Sequence, residues 1–289
     1  MYIQSKFAFD FWARGPQSSG KPISRFLLLG SLAALIGLSA CSGSSSGEVT
    51  ARAQSALTPT TGLDAPLLFD WQYYVGLYPD LQAAFGNNPA ALTQHWLTNG
   101  IYEGRRASPV FDCSLYLGIY PDLSKAFGSD CAAAMNHFFN TGLPLEGRRA
   151  SIEFDAHYYL SFYSDISTAY GNNGYLSAAT HFVTTGLWNE GRAGSNEFDV
   201  RYYLCYYSDL SKVFGLNFRS ALNHYNTTGL PLEGRRSSAT LDIKWYLSQF
   251  TTLQNALGTA NYLGAMYHWV IKAIPGMTYR TYRPLPSSC

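Results

Sequence analysis

Residues 69–106 read FDWQYYVGLYPDLQAAFGNNPAALTQHWLTNGIYEGRR, and this stretch determines the fold that we predict. Asp70 is a good N-cap for a first short helix. Pro79 disfavours continuation of that helix, so a second helix is expected, capped by Asp80. After a Gly-Asn turn, apolar residues return at helical spacing, which predicts a third helix over residues 90–99.

Gly100 follows the third predicted helix. A glycine in the left-handed conformation commonly ends a helix, and the apolar residue after it makes a hydrophobic contact with the last turn. We therefore predict that Gly100 is a left-handed C-cap and that Ile101 supplies this contact.

The whole pattern recurs along the chain. Phe-Asp pairs stand at residues 69–70, 111–112, 154–155 and 198–199, with Leu-Asp at 241–242, at spacings of 42, 43, 44 and 43. A histidine followed by an aromatic residue keeps the same register, at His95, His137, His181, His224 and His268. Because one unit is too small to bury its apolar face alone, we predict an all-α, solenoid-like tandem array of about five short-helix repeats.

The repeats differ in how well they are kept. Residues 67–239 are predicted to form four regular repeats, each of which carries a Glu-Gly-Arg motif. In the fifth, Thr252 stands where the second aspartate is expected, and no Glu-Gly-Arg follows His268. Residues 240–289 are therefore predicted to be a degenerate capping repeat with a C-terminal tail.

The N-terminus has the pattern of an export signal. Lys21 and Arg25 precede an uncharged apolar run that is too short to span a membrane comfortably. The run ends in Leu38-Ser39-Ala40-Cys41, which resembles the lipobox of bacterial lipoproteins at all four positions. The resemblance implies that residues 1–40 are removed as a signal peptide and that Cys41 becomes the lipid attachment site.

The anchor predicts a location outside the cytoplasm. Several acyl chains hold a protein stably at a membrane, whereas one chain holds it only marginally. Ser42 stands where an aspartate would resemble the inner-membrane retention signal, so the outer membrane is expected in a cell with two membranes. Residues 41–66 are rich in serine, glycine and threonine, which predicts a lipid-anchored flexible linker.

The repeats themselves resemble a unit of about forty residues that occurs in bacterial secreted and surface proteins. Its features are Phe-Asp, Tyr-x-Asp-Leu, His-aromatic and Glu-Gly-Arg, and residues 67–240 match it well. The resemblance implies an accessory module and carries no activity with it.

Recurring arginines are the first candidate ligand-binding residues. A row of arginines could bind an anionic glycan or a phosphate, but glutamate beside arginine more often forms ion pairs within or between repeats. The candidates are Arg105, Arg148, Arg192 and Arg235, and Arg106, Arg149 and Arg236 add to the same row.

Histidines and cysteines offer other chemistry. The five recurring histidines have no second ligand at metal spacing, so we predict packed structural histidines and no metal site. Of the three pairings that four exported cysteines allow, neighbouring Cys113 and Cys131 are the first choice for a disulfide.

Composition narrows the function further. Beyond residue 40 the chain has 16 basic and 18 acidic residues, which argues against binding of nucleic acid. No motif for a catalytic nucleophile or for a cofactor is present. We therefore expect a non-catalytic binding or structural module at the cell envelope, with an envelope polysaccharide or another envelope protein as partner. The alternative is a small enzyme that acts on envelope glycan through scattered carboxylates.

Overall fold

The computed structural model describes residues 62–272, and this part of the chain is all-α. Its α-helices are seven residues long except for the last, which has eleven. Isolated helices this short are marginal in water, so tertiary packing must stabilise them. Each of the first four repeats contains three α-helices and a π-helical turn. They are α1 (Trp71–Leu77), α2 (Pro79–Phe85), α3 (Pro89–His95) and π1 (Trp96–Gly100); α4 (Cys113–Ile119), α5 (Pro121–Phe127), α6 (Cys131–His137) and π2 (Phe138–Gly142); α7 (Ala156–Phe162), α8 (Ser164–Tyr170), α9 (Tyr175–His181) and π3 (Phe182–Gly186); α10 (Val200–Tyr206), α11 (Ser208–Phe214), α12 (Phe218–His224) and π4 (Tyr225–Gly229).

The fifth repeat keeps three helices, α13 (Ile243–Gln249), α14 (Thr251–Leu257) and α15 (Tyr262–Lys272). No π-helical turn follows α15 within the described residues. None of the helices between residues 62 and 272 has both the length and the apolar character needed to cross a bilayer.

The predicted helix boundaries are confirmed in part. The Asp70 side chain accepts hydrogen bonds from the backbone N–H groups of Gln72 and Tyr73, and so caps α1. Pro79 is the first residue of α2, where its missing N–H costs nothing. Asp80 is not a cap, because the N-cap position belongs to Tyr78; Asp80 lies in the first turn and its carboxylate faces an arginine instead.

The predicted left-handed role of Gly100 is wrong. Gly100 ends the right-handed turn π1, and Ile101 continues with φ −64°. A Cβ on Gly100 would lie 2.1 Å from the Tyr74 hydroxyl, so glycine is needed there for close approach rather than for positive φ. The same contact recurs at the later π-helical turns, where the glycine and tyrosine are Gly142 and Tyr116, Gly186 and Tyr159, and Gly229 and Tyr203.

An aromatic cluster fills the interior of each repeat. In repeat 1 the ring of Phe69 stacks on Trp96 at 6.0 Å, and Tyr74 packs edge-on against Trp96 at 5.5 Å. Tyr74 and Trp96 are fully buried. Aromatic rings recur at all three positions in the first four repeats, and at two of them in the fifth, which explains the high aromatic content of the sequence.

Neighbouring repeats pack against each other, and repeats 1 and 2 also pack against the repeat three places on. The Asp70 N–H donates to the Ala107 carbonyl at 2.8 Å, which ties the start of repeat 1 to the segment leading into repeat 2. Helix α12 of repeat 4 packs on α1, and α15 of repeat 5 packs on α4. The array therefore winds back on itself after three repeats.

The array begins earlier than predicted. Leu63 is buried, and its carbonyl accepts a hydrogen bond from Trp96 Nε1 at 3.1 Å. Gly62 lies against the ring of Phe139 in repeat 2. The predicted linker boundary at residue 66 is thus too late, because these apolar residues belong to the core.

Candidate functional site

The arginine of each Glu-Gly-Arg motif lies in a surface corner that it forms with the second helix of its own repeat. In repeat 1, Arg105 donates from Nη1 and Nη2 to the two carboxylate oxygens of Asp80 at 3.0 and 2.8 Å. Its Nε donates to Glu103 at 2.6 Å. The guanidinium also lies over the ring of Tyr78, 4.8 Å from the centroid. We call this arrangement the EGR corner.

A glycine shapes each EGR corner. Gly104 has φ +69°, a left-handed conformation that brings the side chains on either side of it together. The later corners have the same composition of arginine, aspartate, glutamate and tyrosine: Arg148, Asp122, Glu146 and Tyr120; Arg192, Asp165, Glu190 and Tyr163; Arg235, Asp209, Glu233 and Tyr207.

The charges of the corner are matched internally. The hydrogen bond from Arg105 holds the pKa of Asp80 below its ordinary value, so this carboxylate stays ionised. Each corner thus has two carboxylates around one guanidinium and is negative overall. An anion would have to displace a carboxylate to reach the arginine. Binding of an anionic glycan or phosphate by the four arginines stays a prediction, and the geometry favours the alternative of pairing within the repeat.

An open cleft of about 430 Å³ adjoins the corner of repeat 3. Its walls are the corner residues Asp165, Glu190 and Arg192 together with Asp199 and Arg201 of repeat 4. The Arg201 guanidinium donates to the Glu190 carbonyl at 2.9 and 2.7 Å, which closes one side. The volume lies within the range of small-ligand pockets.

Every recurring histidine shares one hydrogen bond with a tyrosine of the first helix of its repeat. In repeats 1 to 4 this is the tyrosine that packs on the π-turn glycine. Nδ1 of the histidine lies 2.8–3.0 Å from the tyrosine hydroxyl. The pairs are Tyr74 with His95, Tyr116 with His137, Tyr159 with His181, Tyr203 with His224 and Tyr246 with His268. Through this hydrogen bond, each histidine joins the first helix of its repeat to the third.

Burial lowers the pKa of three of these histidines, His95, His224 and His268. They are therefore neutral near pH 7, as a histidine with a tyrosine partner in a packed site would be. Across residues 62–272, no three histidine, cysteine, aspartate or glutamate side chains gather in an arrangement that could hold a metal ion.

The structure also shows a buried charge cluster that the sequence reasoning missed. Arg106, next to the corner arginine, donates from Nη2 to both oxygens of Glu153 at 2.8 and 2.6 Å. Glu153 is fully buried, and Asn226 donates to it at 2.9 Å. Asp112 lies 3.5 Å from Arg106 and accepts a hydrogen bond from the Tyr267 hydroxyl. Each of these five residues belongs to a different repeat.

A second ion pair of the same kind lies one repeat further on. Arg149 contacts Glu197 at 2.8 Å, and Trp269 Nε1 donates to the same carboxylate at 3.1 Å. In both pairs the arginine follows Glu-Gly-Arg in one repeat, and the glutamate precedes Phe-Asp two repeats later. Repeat 3 has Ala193 in place of this arginine, and two repeats later Thr240 takes the place of the glutamate. That covariation between repeats was the signal that could have revealed the cluster.

The two cysteine predictions fall in different parts of the chain. Cys113 at the start of α4 and Cys131 at the start of α6 form a disulfide, with a Cα–Cα distance of 5.5 Å. The bond joins the first and third helices of repeat 2. Cys41 and the signal segment lie outside the described residues.

Comparison of the chain with protein families, characterised proteins and solved structures returns no match. The resemblance to lipoproteins and to repeats of secreted bacterial proteins therefore stays a prediction.

Proposed function

We propose that this chain is a bacterial lipoprotein, anchored to a membrane through Cys41, whose helical array is a non-catalytic binding or structural module of the cell envelope. The anchor is supported by the sequence Leu38-Ser39-Ala40-Cys41 after a positively charged segment and a short apolar run. The expected location is outside the cytoplasm, at the outer membrane in a cell that has two membranes.

The observation that carries the non-catalytic role is the use of the recurring polar residues. Each histidine is paired with a tyrosine and each corner arginine with two carboxylates, inside its own repeat. A residue that recurs in every repeat and has a partner there serves the fold of the repeat. A catalytic site, in contrast, needs groups that are free to meet substrate.

An envelope polysaccharide or another envelope protein is the partner class that this proposal favours. A wound array presents a long surface built from repeated corners, and repeat proteins use such surfaces for extended partners. The corners are negative and carry exposed apolar neighbours, such as Leu145 and Leu232, next to the glutamate. Polar sugars and protein surfaces fit this mixture better than a phosphate backbone does.

Metabolic labelling with a clickable fatty acid tests the anchor. Wild-type protein should take up the label, and Cys41→Ser should lose it, because serine has no thiol for thioether formation. Ser42→Ala, one residue beyond the proposed attachment site, should keep the label and serves as the control. Label retained by Cys41→Ser would overturn the anchor assignment.

Glycan arrays and turnover assays on the detergent-extracted mature protein test the role of the array. We expect binding to an envelope glycan, or co-purification with an envelope protein, without any change in the glycan. Hydrolysis of an envelope glycan would reject the non-catalytic role and support the glycan-active enzyme instead.

A further inference from the structure

The packing between repeats three places apart follows a fixed pattern. The third helix of repeat 4 covers the first helix of repeat 1, where Arg219 contacts Asp70 at 2.8 Å. Asn226 reaches the Tyr73 hydroxyl at 3.2 Å. The third helix of repeat 5 covers the first helix of repeat 2 in the same way. Tyr73 and its counterpart Leu115 are buried.

Helix α7 of repeat 3 is next in this series, and among residues 62–272 no third helix from a repeat three places on covers it. Tyr158 occupies the position of Tyr73, and Phe162 follows one turn later. Phe162 is 62% exposed and stacks on Tyr158 with a centroid distance of 5.2 Å. With Ser161, these residues form a partly aromatic surface, which we call the tail face, and none of the three is charged. Asp155, at the position of Asp70, lies at the start of the same helix and contacts Arg149 at 4.0 Å.

Repeat 1 has the matching surface. In repeat 4 the covering helix contacts repeat 1 through Arg219, Asn223 and Asn226. The corresponding residues of repeat 1 are Ala90 and Gln94, both exposed, and Leu97, which is partly buried. We call these three residues the head face. It also carries no charge.

We propose that a second copy of this chain binds head to tail, with the head face of one copy on the tail face of the other. The contact continues an interface that the array already makes twice within one chain. A contact between two different faces leaves one of each free, so it can repeat and build an open strand of copies.

The tail face differs from α1 at one position, and this difference should weaken the contact. Asn223 lies so close to Gly76 that a Cβ at residue 76 would be 3.2 Å from the asparagine side chain. The tail face has Ser161 at this position, so the helix of a second copy would sit further out. We therefore expect a reversible association that is weaker than the packing within one chain. It depends neither on the lipid anchor nor on an envelope ligand, so its failure would leave the proposed function standing.

Cysteine cross-linking of the full-length protein on intact cells tests this proposal. Gln94 and Ser161 take the places of Asn223 and Gly76, so cysteines at these two positions should come within disulfide reach across the interface. Two differently tagged copies, Gln94→Cys and Ser161→Cys, should give a mixed covalent dimer. One chain carrying both substitutions should give a ladder of dimers, trimers and larger species.

The controls separate this arrangement from others. Thr168→Cys, which is exposed on α8, should not cross-link to Gln94→Cys above the level of random collision. Adding Phe162→Asp to the Ser161→Cys copy should abolish the mixed dimer, because it places a charge in the tail face. Three outcomes would overturn the proposal: no mixed dimer, a dimer formed by Ser161→Cys alone, or a cross-link from Ser161→Cys to a different protein.

Discussion

Arg105 and Arg106 are neighbours in the sequence, and both pair with carboxylates, yet they stabilise different levels of the structure. Arg105 pairs within its own repeat at the surface, where the Asp80 side chain is 49% exposed. Arg106 pairs with Glu153, which belongs to repeat 3 and has no exposed surface. The first arginine fixes the corner of one repeat. The second joins repeats that are not adjacent in the sequence.

The difference matters energetically because water screens one pair and not the other. An exposed pair contributes little, since solvent stabilises the separated charges almost as well. A buried pair contributes little net free energy as a pair, but removing one partner leaves a charge in the interior without compensation. The two arginines should therefore respond very differently to the same change in their partners.

The largest effect is expected for Glu153→Ala. Removing this carboxylate leaves the Arg106 guanidinium buried with only Asp112 nearby, and we expect a loss of about 3–5 kcal/mol in the free energy of unfolding. Glu103→Ala removes a carboxylate from the neighbouring Arg105 and should cost only about 0–1 kcal/mol. Denaturant unfolding of both variants measures the contrast. Equal losses would show that the two arginines do not act at different levels.

These two arginines also show how far the sequence could predict the structure. Asp70 and Pro79 act on neighbouring residues, so the start of α1 and the break before α2 follow from local rules. The Tyr–His pairs lie within one repeat and recur in register, so a hydrogen-bonded structural histidine was predictable. The corner pairing of Arg105 was one of two interpretations, because its glutamate is two residues away.

Contacts between distant repeats were not predictable in the same way. The pairing of Arg106 with Glu153 depends on how the array winds, and a repeat pattern alone does not fix that winding. Gly100 was assigned a left-handed cap because glycine commonly has that role after a helix. The actual reason is the Tyr74 hydroxyl, which arrives from another helix and leaves no room for a Cβ.

An intermediate effect is expected for His137→Ala, which removes a contact within one repeat that is only partly buried. The Tyr116 hydroxyl loses its partner, and the free energy of unfolding should fall by about 1–3 kcal/mol. Tyr116→Phe removes the same hydrogen bond from the other side and should lower it by about 0.5–1.5 kcal/mol.

Calorimetry with added zinc checks the structural interpretation of this histidine. A metal that binds only the folded state raises the melting temperature. We expect no change for the wild type, because a tyrosine and a glycine, rather than further ligands, adjoin the ring of His137. A rise in the melting temperature that a chelator reverses would contradict the structural role.

The smallest effect is expected at the corner of repeat 2, where Asp122→Ala breaks the pair with Arg148. The Asp122 side chain is 59% exposed, so we expect a loss of about 0–1 kcal/mol that shrinks further in high salt.

The hydrogen bond from Arg148 lowers the pKa of Asp122 in the folded state. The contribution of this pair to the free energy of unfolding is therefore complete above the ordinary pKa of 3.8. It is lost as the pH falls through the lowered pKa. Between pH 8 and pH 5, the difference in the free energy of unfolding between the variant and the wild type should stay constant in chemical denaturation. A difference in the free energy of unfolding that grew as the pH approached 5, or that salt did not change, would show that water does not screen the pair of Asp122 and Arg148.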